Sequence, residues 1–236
     1  MTPSSDGPYT GRAHDAVLAI LRGLARGRVL DIPCATGRLA RRVRELGFTV
    51  VCSDISREAF EAADLEFVPA DMNRTLPFCD AEFDHVLCVE GIEHMESSHH
   101  LARELARVLR PGGSLILTTP NLMSFKARWM FLFYSRFPRF DEFGGAGAVG
   151  TRHGHGHINP VFWPHLRAVL EESGFTALDV SAVRHGRYRR SAAWLLGPAI
   201  RFCTRREHPL ARELLRPEIF HGENLVVHAR KPRGTA

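Results

Sequence analysis

The sequence predicts an α/β domain: a mostly parallel sheet of seven strands with helices on both faces. Three observations carry that expectation. Strand-length apolar runs alternate with helix-length amphipathic runs, the pattern of a parallel sheet wound by crossover helices. The chain has 236 residues, which suits one such domain with insertions better than two domains. A chain of this size buries roughly 70% of its surface on folding, enough for a real core. Apolar residues make up 44% and charged residues 24%, the composition of an ordinary globular protein.

The elements read in order along the chain. An amphipathic helix is predicted at 13–25, a strand at 28–32, and a helix at 38–46 ended by Gly47. A second strand follows at 48–53, a helix at 56–62, a third strand at 66–70 and a fourth at 83–89. A helix at 98–109 is stopped by Pro111-Gly112-Gly113, and the fifth strand is Ser114–Thr119. The pattern then loosens into an aromatic and basic stretch, followed by a Gly/His-rich loop at 141–157. It resumes with a helix at 161–173 capped by Gly174, a strand at 175–183, a second irregular stretch, and a last strand at 224–230. The expectation is a single domain over 1–236, with insertions at 121–157 and 185–222 after the fifth and sixth strands.

The five cysteines include no C-x-x-C pair, and Cys34, Cys52 and Cys88 sit in or beside apolar runs. They read as reduced buried thiols. The first residues lack the apolar core of a signal peptide, and no apolar run reaches the roughly 20 residues that span a bilayer. A cytoplasmic location is the expectation. Net charge is +5, with the excess late, from Arg184 to Arg206. Such an edge attracts anions or is simply solvated surface.

The most informative segment is Val29-Leu30-Asp31-Ile32-Pro33-Cys34-Ala35-Thr36-Gly37-Arg38. A buried strand runs into a tight turn that opens a helix, where a nucleotide-like ligand docks beyond the strand ends. Asp54 follows Asp31 by 23 residues, at the end of the second strand, the place of an acid that grips ribose hydroxyls. The segment resembles motif I of the class I S-adenosylmethionine-dependent methyltransferases, in which glycines stand where this chain has Pro33 and Ala35; Gly37 is retained. Asp54-Ile55 is similar to the family's ribose acid and the apolar residue beside adenine. Ala70-Asp71-Met72 is similar to its third-strand turn, and Leu109-Arg110-Pro111-Gly112-Gly113 to its turn before the fifth strand.

The resemblance implies a Rossmann-like sheet that binds S-adenosylmethionine. It places Asp31, Pro33, Ala35, Gly37, Asp54, Ile55, Asp71, Met72 and Val89 at the cofactor. An NAD-binding domain would keep G-x-G-x-x-G, which this turn lacks.

After the fourth strand stands Glu90-Gly91-Ile92-Glu93-His94, followed far downstream by His153-Gly154-His155-Gly156-His157. Carboxylates and imidazoles this close converge on one divalent cation when the chain turns sharply, as Gly91 allows. The pattern is similar to E-x-x-E-H in metal-dependent methyltransferases of small-RNA 3′ ends, and to an E-H pair in ubiquinone-pathway O-methyltransferases. That resemblance implies Glu90, Glu93, His94 and His157 as ligands of Mg²⁺ or another divalent cation, with Glu93, His94 and His157 as catalytic groups. His94 as a metal-free general base and a purely structural role are the alternatives.

An aromatic run from Phe125 to Phe143 suits an acceptor pocket, a dimer contact or packing on the sheet. The segment from Gly156 to Phe175 resembles methyltransferases of bacterial cell-surface glycan pathways. It favours a sugar hydroxyl or small molecule as acceptor; nucleic acid is disfavoured by the lack of an appended RNA-binding module and the modest basic excess. The segment Ser191–Cys203 reads as a core or homodimer helix, or as a peripheral membrane contact. O-methylation is the first expectation. The alternatives are metal-free N- or C-methylation, RNA 3′-terminal 2′-O-methylation, and a silent methyltransferase-like scaffold.

Overall fold

The computed structural model describes residues 8–140, 156–183 and 216–233. In chain order the elements are α1 (Pro8–Arg22), β1 (Arg28–Asp31), α2 (Arg38–Glu45), β2 (Thr49–Asp54), β3 (Glu66–Pro69) and β4 (Phe83–Val89). A 3₁₀ turn at Ile92–His94 leads to α3 (Ser98–Val108) and β5 (Leu109–Pro120). Then come α4 (Phe125–Tyr134), α5 (Trp163–Glu172), β6 (Thr176–Val183), α6 (Pro217–His221) and β7 (Asn224–Arg230).

The strands form one sheet in the order β3-β2-β1-β4-β5-β7-β6. The first five are parallel, and β7 runs antiparallel to both β5 and β6. The expected seven-stranded, mostly parallel sheet is observed. Successive side chains on a strand point to opposite faces, and both faces are covered. On one, Leu30, Val86 and Leu115 pack with α3 and α5, including a fully buried Trp163. On the other, Val29, Val50, Leu87 and Ile116 pack against Val17 and Leu21 of α1 and Leu39 and Val43 of α2. Strand order reverses between β1 and β4. In such sheets the ligand crevice lies at that reversal, outside the strand C-termini. Asp31 and Val89 end those two strands.

Two expectations need correction, and the aromatic segment takes one of its expected forms. No helix forms at 56–62. The backbone there is satisfied elsewhere: the Glu61 amide donates to Thr36 O at 3.1 Å, and Arg41 donates to Glu61 O at 2.7 Å. Phe60 packs against Phe67, ring centroids 4.7 Å apart, so tertiary contacts override a weak propensity. The fifth strand starts at Leu109 rather than Ser114, and the Pro-Gly-Gly stop is its irregular first stretch. The aromatic segment after it contains a helix, α4, whose N-terminus the Ser124 side chain caps by accepting from Ala127 N at 3.2 Å. No described helix is long and apolar enough to cross a membrane.

Candidate active site

The loop after β1 is built by main-chain bonds at the mouth of the crevice. Ile32 N donates to Leu87 O of β4 at 3.0 Å, and Cys34 N to Ser53 O of β2 at 2.9 Å. The loop is thereby stretched between the two strands that flank β1. Ala35 and Gly37 both take positive φ, +46° and +79°. At Gly37 a Cβ would lie 2.7 Å from Ala62 Cβ and 2.8 Å from Phe60 Cε2, so only glycine fits. Asp54 closes the loop: its Oδ2 accepts from Ala35 N at 2.9 Å and its Oδ1 from Ile55 N at 2.8 Å.

Asp31 lies beneath this loop, 1% exposed, and neither carboxylate oxygen has a hydrogen-bond partner among the described residues. Burial, and then the negative charge of Asp54, push its carboxyl up to about 8. A buried polar group without a partner is costly, and a cationic or hydrogen-bond-donating ligand would relieve the cost. Two thiols adjoin it. Hydrogen bonding to Cys52 and burial raise the Cys34 thiol, and burial raises Cys88; both read as inert.

The second loop follows β4. Gly91 is held against the first one: a Cβ there would stand 2.6 Å from Pro33 Cδ. The chain then makes its 3₁₀ turn, which turns Glu93 inward, fully buried, where Thr119 donates to its Oε2 at 3.1 Å. Residues 156–159 return to this turn. The Ile158 and Asn159 amides donate to Glu93 O at 3.0 and 2.9 Å, and Asn159 Nδ2 donates to Ser98 at 2.7 Å. His94 Nδ1 meets the Gly156 carbonyl at 3.2 Å.

This strap delivers His157. Ligand atoms of Glu93, His94 and His157 lie within 4.8 Å of one another, and the two imidazoles meet edge to face at 4.8 Å. Burial and the adjacent Glu90 hold the Glu93 carboxyl well above its ordinary value. Burial, then His94 and Arg139, lower His157 to about 4. His157 is therefore a neutral imidazole at pH 7, the form that ligates a metal.

Beyond β5 lies a cavity of about 290 Å³, lined by Pro120, Leu122, Lys126, Met130, Arg139 and Glu223 among others. Arg139 links it to the second loop by pairing with Glu90 at 3.0 Å.

Comparison with known proteins accounts for this layout. Residues 30–117 match a family described as methyltransferase domain. They span β1 to β5, both loops included. Residues 30–117 are thus similar to a methyltransferase domain, and the fold is shared with S-adenosylmethionine-dependent methyltransferases of known structure.

The chain is 35% identical over 119 residues to 27-O-demethylrifamycin SV methyltransferase of Amycolatopsis mediterranei, covering 46% of this chain and 44% of that one. It is 29% identical over 186 residues to a ubiquinone biosynthesis O-methyltransferase of Xanthomonas euvesicatoria, covering 72% and 71%. The chain spans less than half the length of the first curated relatives it matches. A solved S-adenosylmethionine-dependent methyltransferase from Archaeoglobus fulgidus shares the fold, with a TM-score of 0.61 at 19% identity over 92% of this chain and 94% of that one.

Within the matched stretch, Asp31, Pro33, Ala35, Gly37 and Asp54 gather around the first loop. Ile55 is 68% exposed beside them. Asp71 makes a local turn, accepting from Asn73 N at 2.9 Å. Met72 is not on the loop surface; it is buried in the same cluster as Leu76 and Met95. Val89 is buried on the opposite sheet face.

Among the expected metal ligands, Glu90 stands apart from the other three. It lies outside the three-residue cluster, because Arg139 takes one carboxylate oxygen and Thr118 donates to the other at 2.8 Å. His153, His155 and Ser191–Cys203 lie outside the described residues. Sequence reading missed Arg139, Thr118, Thr119 and Ser98. The signal for the threonines was there: two adjacent hydroxyls, both buried, at the end of an apolar strand.

Proposed function

We propose that the chain is an S-adenosylmethionine-dependent O-methyltransferase acting on a hydroxyl of a sugar, glycan or other small molecule, with a divalent cation at Glu93, His94 and His157. The convergence of those three side chains at the sheet's switch point carries the proposal. The relatives named as O-methyltransferases support it.

The residues fit both groups. Asp31 offers two unpartnered buried oxygens toward the cofactor loop, and Asp54 orders that loop's amides. When bound, S-adenosylmethionine supplies an electrophilic sulfonium methyl. In the second loop, Glu93 Oε1 and His157 Nδ1 are buried without partners among the described residues. One carboxylate oxygen and two imidazole nitrogens suit Mn²⁺, Fe²⁺, Co²⁺ or Zn²⁺ better than Mg²⁺, which prefers oxygen alone. A cation there would lower the acceptor hydroxyl's pKa. The chain's own part is to hold the acceptor in the cavity beside α4, keep His157 neutral, and place Glu93 where a positive charge offsets its burial.

A second reading rests on the bond from His94 Nδ1 to Gly156 O. This contact orients the ring, and His94 would then act as a metal-free general base. Calorimetric titration of S-adenosylhomocysteine and of Mn²⁺ separates the two. Micromolar cofactor binding, together with Mn²⁺ binding that Glu93→Ala abolishes, is expected. Cofactor binding without any Mn²⁺ binding moves the role to His94, and absence of cofactor binding overturns the enzyme reading.

A further inference from the structure

Two rings meet the His157 imidazole edge to face: His94 at 4.8 Å and Phe140 at 5.1 Å. The first belongs to the cluster. The second arrives from the turn that follows α4, and it is buried, 8% exposed. Phe140 N donates to Phe137 O at 3.2 Å and closes that turn. Its first residue is fixed by apolar contacts: Phe137 stacks on Phe131 of α4 at 4.8 Å and meets Phe162, just before α5, at 5.5 Å. Its last part is fixed by charge, since Arg139 Nη1 donates to Glu90 Oε2 at 3.0 Å.

Glu90 is a firm anchor. Its Oε1 accepts from the Thr118 hydroxyl at 2.8 Å, and its amide donates to Thr118 Oγ1 at 3.1 Å. An exposed ion pair contributes little, but here both side chains are partly buried, Arg139 at 31% and Glu90 at 21% exposure. Both also take left-handed backbone conformations, φ +68° and +51°. Residues other than glycine hold such values where the surroundings over-determine them, and they gather at functional sites. We infer that Arg139 is a positioning residue of the histidine cluster: by clasping Glu90 it seats Phe140 against His157 and so fixes the strap at 156–159. Pro138 and Arg139 also line the acceptor cavity, so an acceptor entering there bears on the segment that holds His157. What His157 does rests on the proposed function; that Arg139 places it does not.

The experiment is hydrogen exchange of the full chain without metal. It is read at the Ile158 and Asn159 amides, which bond to Glu93 O, with Ile116 and Leu117 of β5 as the internal reference. Arg139→Met keeps the aliphatic stem and removes the guanidinium. Exchange at Ile158 and Asn159 should become roughly tenfold faster or more, with the β5 amides unchanged. Arg139→Lys should restore protection to within about threefold, because a single donated bond needs no planar fork. Glu90→Gln leaves Arg139 a carbonyl oxygen and should stay near the parent. Phe140→Leu should reproduce the loss, and the double variant should lose no more than the larger single one, as for two residues acting in one chain of contacts. Should Arg139→Met loosen β5 as well, Arg139→Gln is read in its place.

Co²⁺ titration is the second arm, because the visible bands of the bound ion report ligand geometry. Arg139→Met and Phe140→Leu should change those bands and weaken Co²⁺ binding by roughly tenfold. Unchanged exchange at Ile158 and Asn159, additive losses in the double variant, or Co²⁺ held equally well by Arg139→Met would each overturn the inference. A parent that binds no Co²⁺ removes the cation from the proposed function instead, and the exchange result then decides the role of Arg139 alone.

Discussion

The carboxylate of Glu90 is held at both oxygens, by Arg139 at 3.0 Å and by the Thr118 hydroxyl at 2.8 Å. The same E-x-x-E-H run therefore contains two acids with different tasks. Glu90 ties the segment after α4 to the end of β5, while Glu93 points into the histidine cluster. Glu93→Gln and His157→Ala are expected to weaken Mn²⁺ binding at least roughly tenfold, whereas Glu90→Gln stays within about fivefold of the parent, as for a part-exposed ion pair. Calorimetry on the three variants checks this, and an equal loss in Glu90→Gln would restore it as a ligand.

The raised carboxyl of Asp31 sets a pH dependence on the ligand-free protein. The folded chain holds this proton up to about pH 8, while an unfolded one releases it near 3.8. The stability it lends is complete below pH 4 and is lost as pH rises through about 8. Glu93 acts in the same sense. His157 acts oppositely: an unfolded chain takes its proton near 6.5 and the folded one only near 4, so it costs stability below 6.5. Between pH 6.5 and 8 the Asp31 slope stands clear of His157, at up to about 1.4 kcal/mol per pH unit. Denaturation midpoints across that range should fall in the parent and fall less steeply in Asp31→Asn, where the Glu93 contribution remains. An unchanged slope in Asp31→Asn would refute the assignment.

The contact between Gly91 and the Pro33 ring joins the two loops. Gly91→Ala puts a methyl 2.6 Å from Pro33 Cδ, so one loop must move. A loss of about 1–3 kcal/mol in stability is expected, together with weaker binding of S-adenosylhomocysteine and Mn²⁺ alike. Loss of only one of the two affinities would show that the loops are not coupled.

Asp54→Ala leaves the Ala35 and Ile55 amides without their acceptor. The expected cost is about 1 kcal/mol of stability and, on the proposed function, at least a tenfold drop in S-adenosylhomocysteine affinity, since the loop loses its order. Wild-type affinity in this variant would remove Asp54 from the site.

What the sequence made legible follows from locality. The β1 strand, its turn and Gly37 are specified within ten residues, and each came out where the pattern placed it. Asp54 could be paired with Asp31 because parallel strands of one sheet end at one edge. The cluster of Glu93, His94 and His157 was legible as residue types, but its exclusion of Glu90 was not. That exclusion depends on Arg139, 49 residues away, an arginine that looks like any other on a basic chain. The missing helix at 56–62 fails for a related reason: its backbone groups bond to Thr36 and Arg41, partners no local pattern reveals. Met72 packs in the core cluster with Leu76 and Met95, a position that a strand-end apolar residue can take whether or not it also meets a ligand.

The position of β7 bears on how the chain is made. It is the last of the described strands in sequence, yet it lies between β5 and β6 and pairs with both. During vectorial synthesis β5 keeps an open edge, and β6 has no place in the sheet, until residues 224–230 leave the ribosome. Late closure of this kind prolongs exposure of a pairing-competent edge. The nascent protein exposes that edge from the emergence of Pro120 until Asn224–Arg230 follow, and ribosomes stalled between the two should yield aggregates rather than a smaller folded product.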